Sequence, residues 1–140
     1  MVRFTLAVAA ALAILTGCES MTVENPLNPA PLAVRLDGSA AGGPVRVTRG
    51  QTLVVTLEAN VTTGYRWEVV PGFAPVLAQI GTPDYLARSA QPGIVGAPGD
   101  MTFRFRADSP GATVLELVYR RPFEPNVAPV KSVRYDVTVR

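Results

Sequence analysis

The side chains able to do chemistry in this chain are few and poorly placed for catalysis. Among its 140 residues there is no histidine, one cysteine (Cys18) and one lysine (Lys131). Without imidazole the chain cannot build the common serine or cysteine triads, a Cys–His dyad or the usual zinc sites. Lys131 could in principle activate Ser132, but adjacent residues of a strand point to opposite faces. Thr62 and Thr63 carry hydroxyls with no base close by in the sequence. Glu58, Glu68 and Glu116 fall on outward strand positions, where solvation accounts for them. No calcium loop is present, and Gly96-Ala97-Pro98-Gly99 lacks the Lys-Ser or Lys-Thr that would make it a phosphate cradle. The expectation is a protein that is not an enzyme and uses neither metal nor cofactor.

Binding chemistry is better represented. Asn60-Val61-Thr62-Thr63-Gly64 is a polar, glycine-ended loop running straight into the aromatic alternation of Tyr65 and Trp67. An asparagine here can bond its own backbone two residues on, threonine hydroxyls can brace neighbouring amides, and Gly64 permits a sharp turn or a close approach. Taken alone, the stretch also reads as a well-formed hairpin connection. Gly96 to Gly99 is a tightly curved segment or an ordinary turn before the strand that carries Phe103. Arg120-Arg121-Pro122-Phe123 places an aromatic ring beside two guanidinium groups, an interface composition, although the ring could equally fold back onto a sheet.

These loops need a frame, and period-two hydrophobicity supplies it. Leu53, Val55 and Leu57 share one face, as do Tyr65, Trp67 and Val69. Phe103, Phe105 and Ala107 repeat the pattern, followed by Leu115, Leu117 and Tyr119, then Val133, Tyr135, Val137 and Val139. Ala33–Leu36 and Val45–Thr48 are shorter candidates. Asp37-Gly38, Arg49-Gly50, Pro71-Gly72 and Ser109-Pro110-Gly111 supply the turns. Between Pro71 and Ala90 the pattern is ambiguous: Phe73, Val76, Leu77 and Ile80 suit a turn of helix or a loop. About seven short strands in one domain predict an all-β, immunoglobulin-like antiparallel sandwich. Tyr65, Trp67 and Phe103 are expected to support its loops from within.

The N-terminus belongs to a different object. Arg3 precedes an apolar run from Phe4 to Leu15, shorter than the roughly 20 residues that span a bilayer, and it reads as a secretory signal over residues 1–17. Leu15-Thr16-Gly17-Cys18 looks like a bacterial lipobox, in which Cys18 is acylated; an ordinary signal peptide with a chance cysteine is the plainer alternative. Residues 18–32 hold the cysteine and a flexible tether, in which Glu19 to Pro31, with Pro26, Pro29 and Pro31, predicts an extended length of some 40 Å at about 3.1 Å per residue. Residues 33–140 form the domain. The expected location is the bacterial cell envelope, lipid-anchored on the periplasmic face of a membrane or at the cell surface. With 13 basic and 11 acidic residues the chain carries no nucleic-acid signature, and it is expected to be monomeric.

The three loops, in order, resemble the motifs of chagasin-like inhibitors of papain-family cysteine peptidases. That family carries Asn-Pro-Thr-Thr-Gly-Tyr-x-Trp, then Gly-x-Gly-Gly, then Arg-Pro-Trp or Arg-Pro-Phe. The resemblance runs from about Val45 to Val139. It implies a reversible inhibitor whose loops lie side by side at one end of the sandwich and occlude the protease cleft. Asn60, Val61, Thr62, Thr63 and Gly64 would form the central wedge, with Thr62 and Thr63 nearest the catalytic cysteine. Gly96, Ala97, Pro98 and Gly99 would drape along one side, and Arg120, Arg121, Pro122 and Phe123 would flank the other. Two departures stand out. Val61 replaces the family proline and removes a constraint on φ. Pro98 replaces a glycine and cannot take positive φ. The alternative class is an envelope lipoprotein whose sandwich is a structural or protein-binding module.

Overall fold

The computed structural model describes residues 32–88 and 96–140. The expected signal peptide, Cys18 and the expected tether through Pro31 lie outside the described residues. Among the described residues, nine strands form two sheets: β1 (Ala33–Leu36), β2 (Pro44–Val47), β3 (Thr52–Ala59), β4 (Arg66–Val69), β5 (Leu77–Gln79), β6 (Asp84–Ala87), β7 (Gly99–Ala107), β8 (Gly111–Arg120) and β9 (Lys131–Val139). One sheet runs β1-β3-β7-β5, with β6 also paired to β7; the other runs β2-β9-β8-β4.

The alternation seen in the sequence becomes the core between these sheets. Leu53, Val55, Leu57, Phe103, Phe105, Leu115, Leu117, Tyr135 and Val137 are essentially inaccessible, and Trp67 is buried beside them. One face of each long strand is thereby removed from water, which is the main favourable term in forming the sandwich. Among the described residues, every buried hydrophobic lies between Val45 and Val139. The core of the described residues therefore falls within residues 45–139.

Two features depart from the seven-strand antiparallel expectation. β1 pairs with β3 and β2 pairs with β9 in parallel, so both first strands sit at edges and run with their neighbours. The ambiguous stretch after Pro71 supplies β5 and β6 instead of a helical turn. Its apolar spacing suits either state, but Pro75, Gly81 and Pro83 interrupt any helix. β7 meanwhile offers a free edge that β5 and β6 occupy in succession, through Leu77–Gln79 against Phe105–Ala107 and Asp84–Ala87 against Gly99–Thr102. Phe73 packs edge-on to Phe105 at 5.5 Å, and Leu77 is fully buried.

Strand direction decides where the loops emerge. β3 leaves the sandwich at Ala59, β7 enters opposite it at Gly99, and β8 leaves at Arg120 opposite Arg66. The three candidate loops consequently share one pole.

Candidate functional site

Asn60 joins the first loop to the second. Its backbone is extended, and the next three residues, Val61–Thr63, make a single 3₁₀ turn that ends on Gly64 at φ +81°. The Asn60 Oδ1 accepts from the Thr62 amide at 3.3 Å and from the Thr62 hydroxyl at 2.6 Å. The Thr63 hydroxyl donates back to the Asn60 carbonyl at 2.6 Å. Asn60 Nδ2 then crosses to the second loop and donates to the Gly96 carbonyl at 2.7 Å. Val61, Thr62 and Thr63 project outward, exposed.

The wedge is held from below by aromatic residues. The Tyr119 hydroxyl accepts the Asn60 amide at 2.9 Å, and the Trp67 indole donates to the Glu58 carbonyl at 2.9 Å. Tyr65 and Trp67 both pack against Tyr119, with ring centroids at 5.4 and 5.1 Å. Tyr65 is half-buried and Trp67 buried, so both brace the loop as their alternation predicts. The Tyr119 hydroxyl is the anchor that sequence reading missed. Its signal was a polar-tipped aromatic at the last buried position of a strand that opens into a loop.

The second loop turns at Gly96, φ +93°, and its backbone lies over the Thr62 hydroxyl. The Ala97 carbonyl accepts a long bond from the Tyr85 hydroxyl at 3.4 Å, and the Pro98 carbonyl accepts the Arg88 amide at 3.1 Å. Arg88 also clamps the strands below, donating to Glu58 at 2.6 Å and to both oxygens of Asp100. That guanidinium holds the Asp100 carboxyl below its usual range. Gly99 differs from its expected role as a contact residue. It is the first residue of β7 and is buried, and a Cβ there would meet the Leu86 carbonyl at 2.5 Å and the Tyr85 ring at 2.6 Å. It spaces two strands and does not face outward.

The third loop closes the other flank. Phe123 is 69% exposed, and one edge of its ring lies 3.2–3.3 Å from where a Cβ on Gly64 would be. The absent side chain at Gly64 is therefore needed twice, for positive φ and for this contact. The Arg121 guanidinium stacks over Tyr65 at 4.6 Å from the ring centre and reaches Glu124 at 3.7 Å. Arg120 is paired with Glu68 across β4 and β8 at 2.8 Å. Both arginines that the resemblance sets beside the cleft are thus engaged within the domain, whereas Phe123 stands exposed. No cluster of possible metal ligands occurs among the described residues.

Three comparisons bear on this arrangement. The family model described as chagasin family peptidase inhibitor I42 matches residues 46–139. Amoebiasin-1 of Entamoeba histolytica is 32% identical over 84 residues, covering 59% of this chain and 76% of that protein. The crystal structure of the cysteine protease inhibitor EhICP2, also from Entamoeba histolytica, shares the fold at a TM-score of 0.68 and 22% identity, over 77% of this chain and 96% of the other. The solution structure of Amebosin gives a TM-score of 0.64 at 28% identity, over 79% and 100%. The chain belongs to the chagasin family of peptidase inhibitors, and its loop-bearing sandwich is an inhibitor's frame, not an enzyme's.

Proposed function

We propose that this protein inhibits papain-like cysteine peptidases reversibly by filling the active-site cleft with the three loops. Asn60–Gly64 enters the cleft, Gly96–Pro98 lies along one wall and Pro122–Phe123 along the other. The observation that carries this reading is the pair of ties between loops: Asn60 Nδ2 to the Gly96 carbonyl at 2.7 Å, and Phe123 against Gly64. A wedge already held in shape loses little freedom on binding, and preorganisation of this kind lowers the ordering cost of association. The exposed Thr62 and Thr63 spend their hydroxyl protons on bonds within the loop. They therefore offer the peptidase a closed turn in place of a productively placed peptide. A standard protease–inhibitor interface buries about 1,600 Å², an area three adjacent loops can supply.

The same proposal includes an anchor. The lipobox-like Leu15-Thr16-Gly17-Cys18 supports acylation at Cys18 and retention at the bacterial cell envelope, where the tether would hold the inhibitor near a membrane. The deciding experiment is titration of residues 19–140, which lack the lipid site, against papain and a cathepsin L-like peptidase. Nanomolar, reversible inhibition lost on replacing Thr62, Thr63 and Gly64 in a domain that stays folded is the expected result. A folded domain that does not inhibit at micromolar concentration would overturn it.

A further inference from the structure

The wedge occupies one pole of the sandwich, and the N-terminal segment joins at the other. The Leu32 carbonyl accepts the Thr52 amide at 2.9 Å, and Ala33 pairs with Thr52, at the far end of β3 from Asn60. β3 is eight residues long, so the two points are about 25 Å apart at the usual strand rise. Residues 1–31 therefore connect to the domain at the pole that faces away from the loops.

That pole is basic. Arg35, Arg46, Arg49, Arg106 and Arg140 all lie within two residues of the strand ends or in the turns there, and all are exposed. Among the described residues, one acidic side chain shares the pole: Asp108, which is taken by Arg106 at 2.5 Å. Arg49 donates to the Asp108 carbonyl at 3.0 Å, while Arg35, Arg46 and Arg140 form no ion pair among the described residues. Five arginines against one aspartate exceed the formal charge of +2 of the whole chain, so the rest of the molecule is net acidic. Near the loops Arg88, Arg120 and Arg121 are each paired with a glutamate or aspartate, while Arg66 and Lys131 form no ion pair among the described residues.

We infer that the basic pole is a docking face for an anionic phospholipid surface, with the inhibitory loops presented away from the membrane. The inference deepens the anchored reading above, but the charge contact does not require the lipid on Cys18. It rests on two independent placements, the entry of the chain and the unpaired arginines at the same pole. A peptidase captured by the loops would then sit with its cleft toward the membrane and its body in solvent. Each arginine near an anionic surface raises partitioning roughly fivefold.

The test uses residues 19–140, which contain the whole core, and sedimentation with vesicles of phosphatidylglycerol and phosphatidylcholine or of phosphatidylcholine alone. Binding to the anionic vesicles only is expected, reduced by added sodium chloride and reduced no further by inorganic phosphate at the same ionic strength. The triple variant Arg35→Gln, Arg46→Gln, Arg140→Gln should bind roughly 100-fold less and inhibit the peptidase as well as wild type. Neutralising Arg66, Lys131 and Arg134 instead should leave more vesicle binding than the triple variant does. Absence of binding by wild type, equal loss in both variants, or competition by phosphate beyond its ionic strength would each overturn the inference. Mass spectrometry of Cys18 in the full chain tests the anchor separately, so failure of either reading is recognisable by itself.

Discussion

Replacing Asn60 by aspartate should separate the two jobs of that side chain. Aspartate has the same shape and still accepts from the Thr62 amide and hydroxyl, so the turn within the wedge survives. The donor to the second loop is lost, and a carboxylate oxygen now faces the Gly96 carbonyl where 2.7 Å separated a donor from an acceptor. Two acceptors cannot share that distance, so the second loop must move aside or admit water. A hydrogen bond is worth about 0.5–1.5 kcal/mol net, and leaving a partner unsatisfied adds about 1 kcal/mol or more. Asn60 is only half-buried, and water will recover part of that. The expected loss is about 1.5–2.5 kcal/mol in binding, or roughly 10- to 70-fold in inhibition constant.

Titration at neutral pH against one peptidase reads this directly, with a cooperative thermal transition as the control that the domain stays folded, since the core lies below the loops. The Asn60→Asp variant carries an internal check. Once protonated, the introduced carboxyl can donate to the Gly96 carbonyl, so the tie favours the protonated form and raises the pKa of that carboxyl above the ordinary value of about 3.9. Relative to wild type, affinity should return as pH falls toward about 4. Equal inhibition by variant and wild type at neutral pH would refute the claim that the tie organises the wedge. So would a loss that acid does not relieve.

Three further outcomes follow from single contacts. Gly99→Ala drives a Cβ into the Leu86 carbonyl and the Tyr85 ring, and should destabilise the domain by about 1–3 kcal/mol, seen as a lower denaturant midpoint. Gly64→Ala combines strain at φ +81° with a clash against Phe123; inhibition should weaken at least tenfold with about 1–2 kcal/mol of lost stability, and unchanged inhibition would argue against the Phe123 flank. Tyr135 is fully buried, and burial, assisted by Asp37, pushes its phenol up to about 12. Its folded pKa lies above the unfolded value, so its contribution is complete below about pH 10 and fades as pH rises from about 10 to 12. Tyr135→Phe should flatten that part of a stability-versus-pH curve.

The parts of the fold that were legible are those where burial follows period two. β3, β7, β8 and β9 each place alternate residues in the core, and their alternation can be read without any partner in view. β5 and β6 were illegible for the opposite reason. They are three or four residues long, bury one side chain between them, and exist because β7 has a free edge. No local pattern encodes a neighbour's vacancy. The loop residues were found by resemblance, whereas their mutual contacts depend on Tyr119, Arg88 and Tyr85, each distant in sequence and each a polar tip on a residue whose body serves a strand or its end.

The two departures from the family motifs show how such contacts change the meaning of a substitution. A proline at position 61 would restrict φ at the start of the wedge; Val61 gives up that restriction. Here the turn is closed by backbone bonds from Thr63 to Asn60 at 3.3 Å and from Gly64 to Val61 at 3.1 Å, and it is pinned by Asn60, Thr62, Thr63 and Tyr119. Four side chains supply the constraint that one ring would have given. In the second loop the positive φ falls on Gly96, and Pro98 occupies a position that does not need it. Pro98 offers its carbonyl to Arg88, and having no N–H it leaves no donor to satisfy on an exposed turn. The change at position 61 therefore moves the source of rigidity in the wedge from backbone restriction to the ties around Asn60, while Pro98 adds backbone restriction of its own to the second loop. The wedge of this protein should accordingly be more sensitive to substitution at Asn60 than at Val61: Val61→Pro should leave inhibition within a few-fold of wild type, and Asn60→Asp should not.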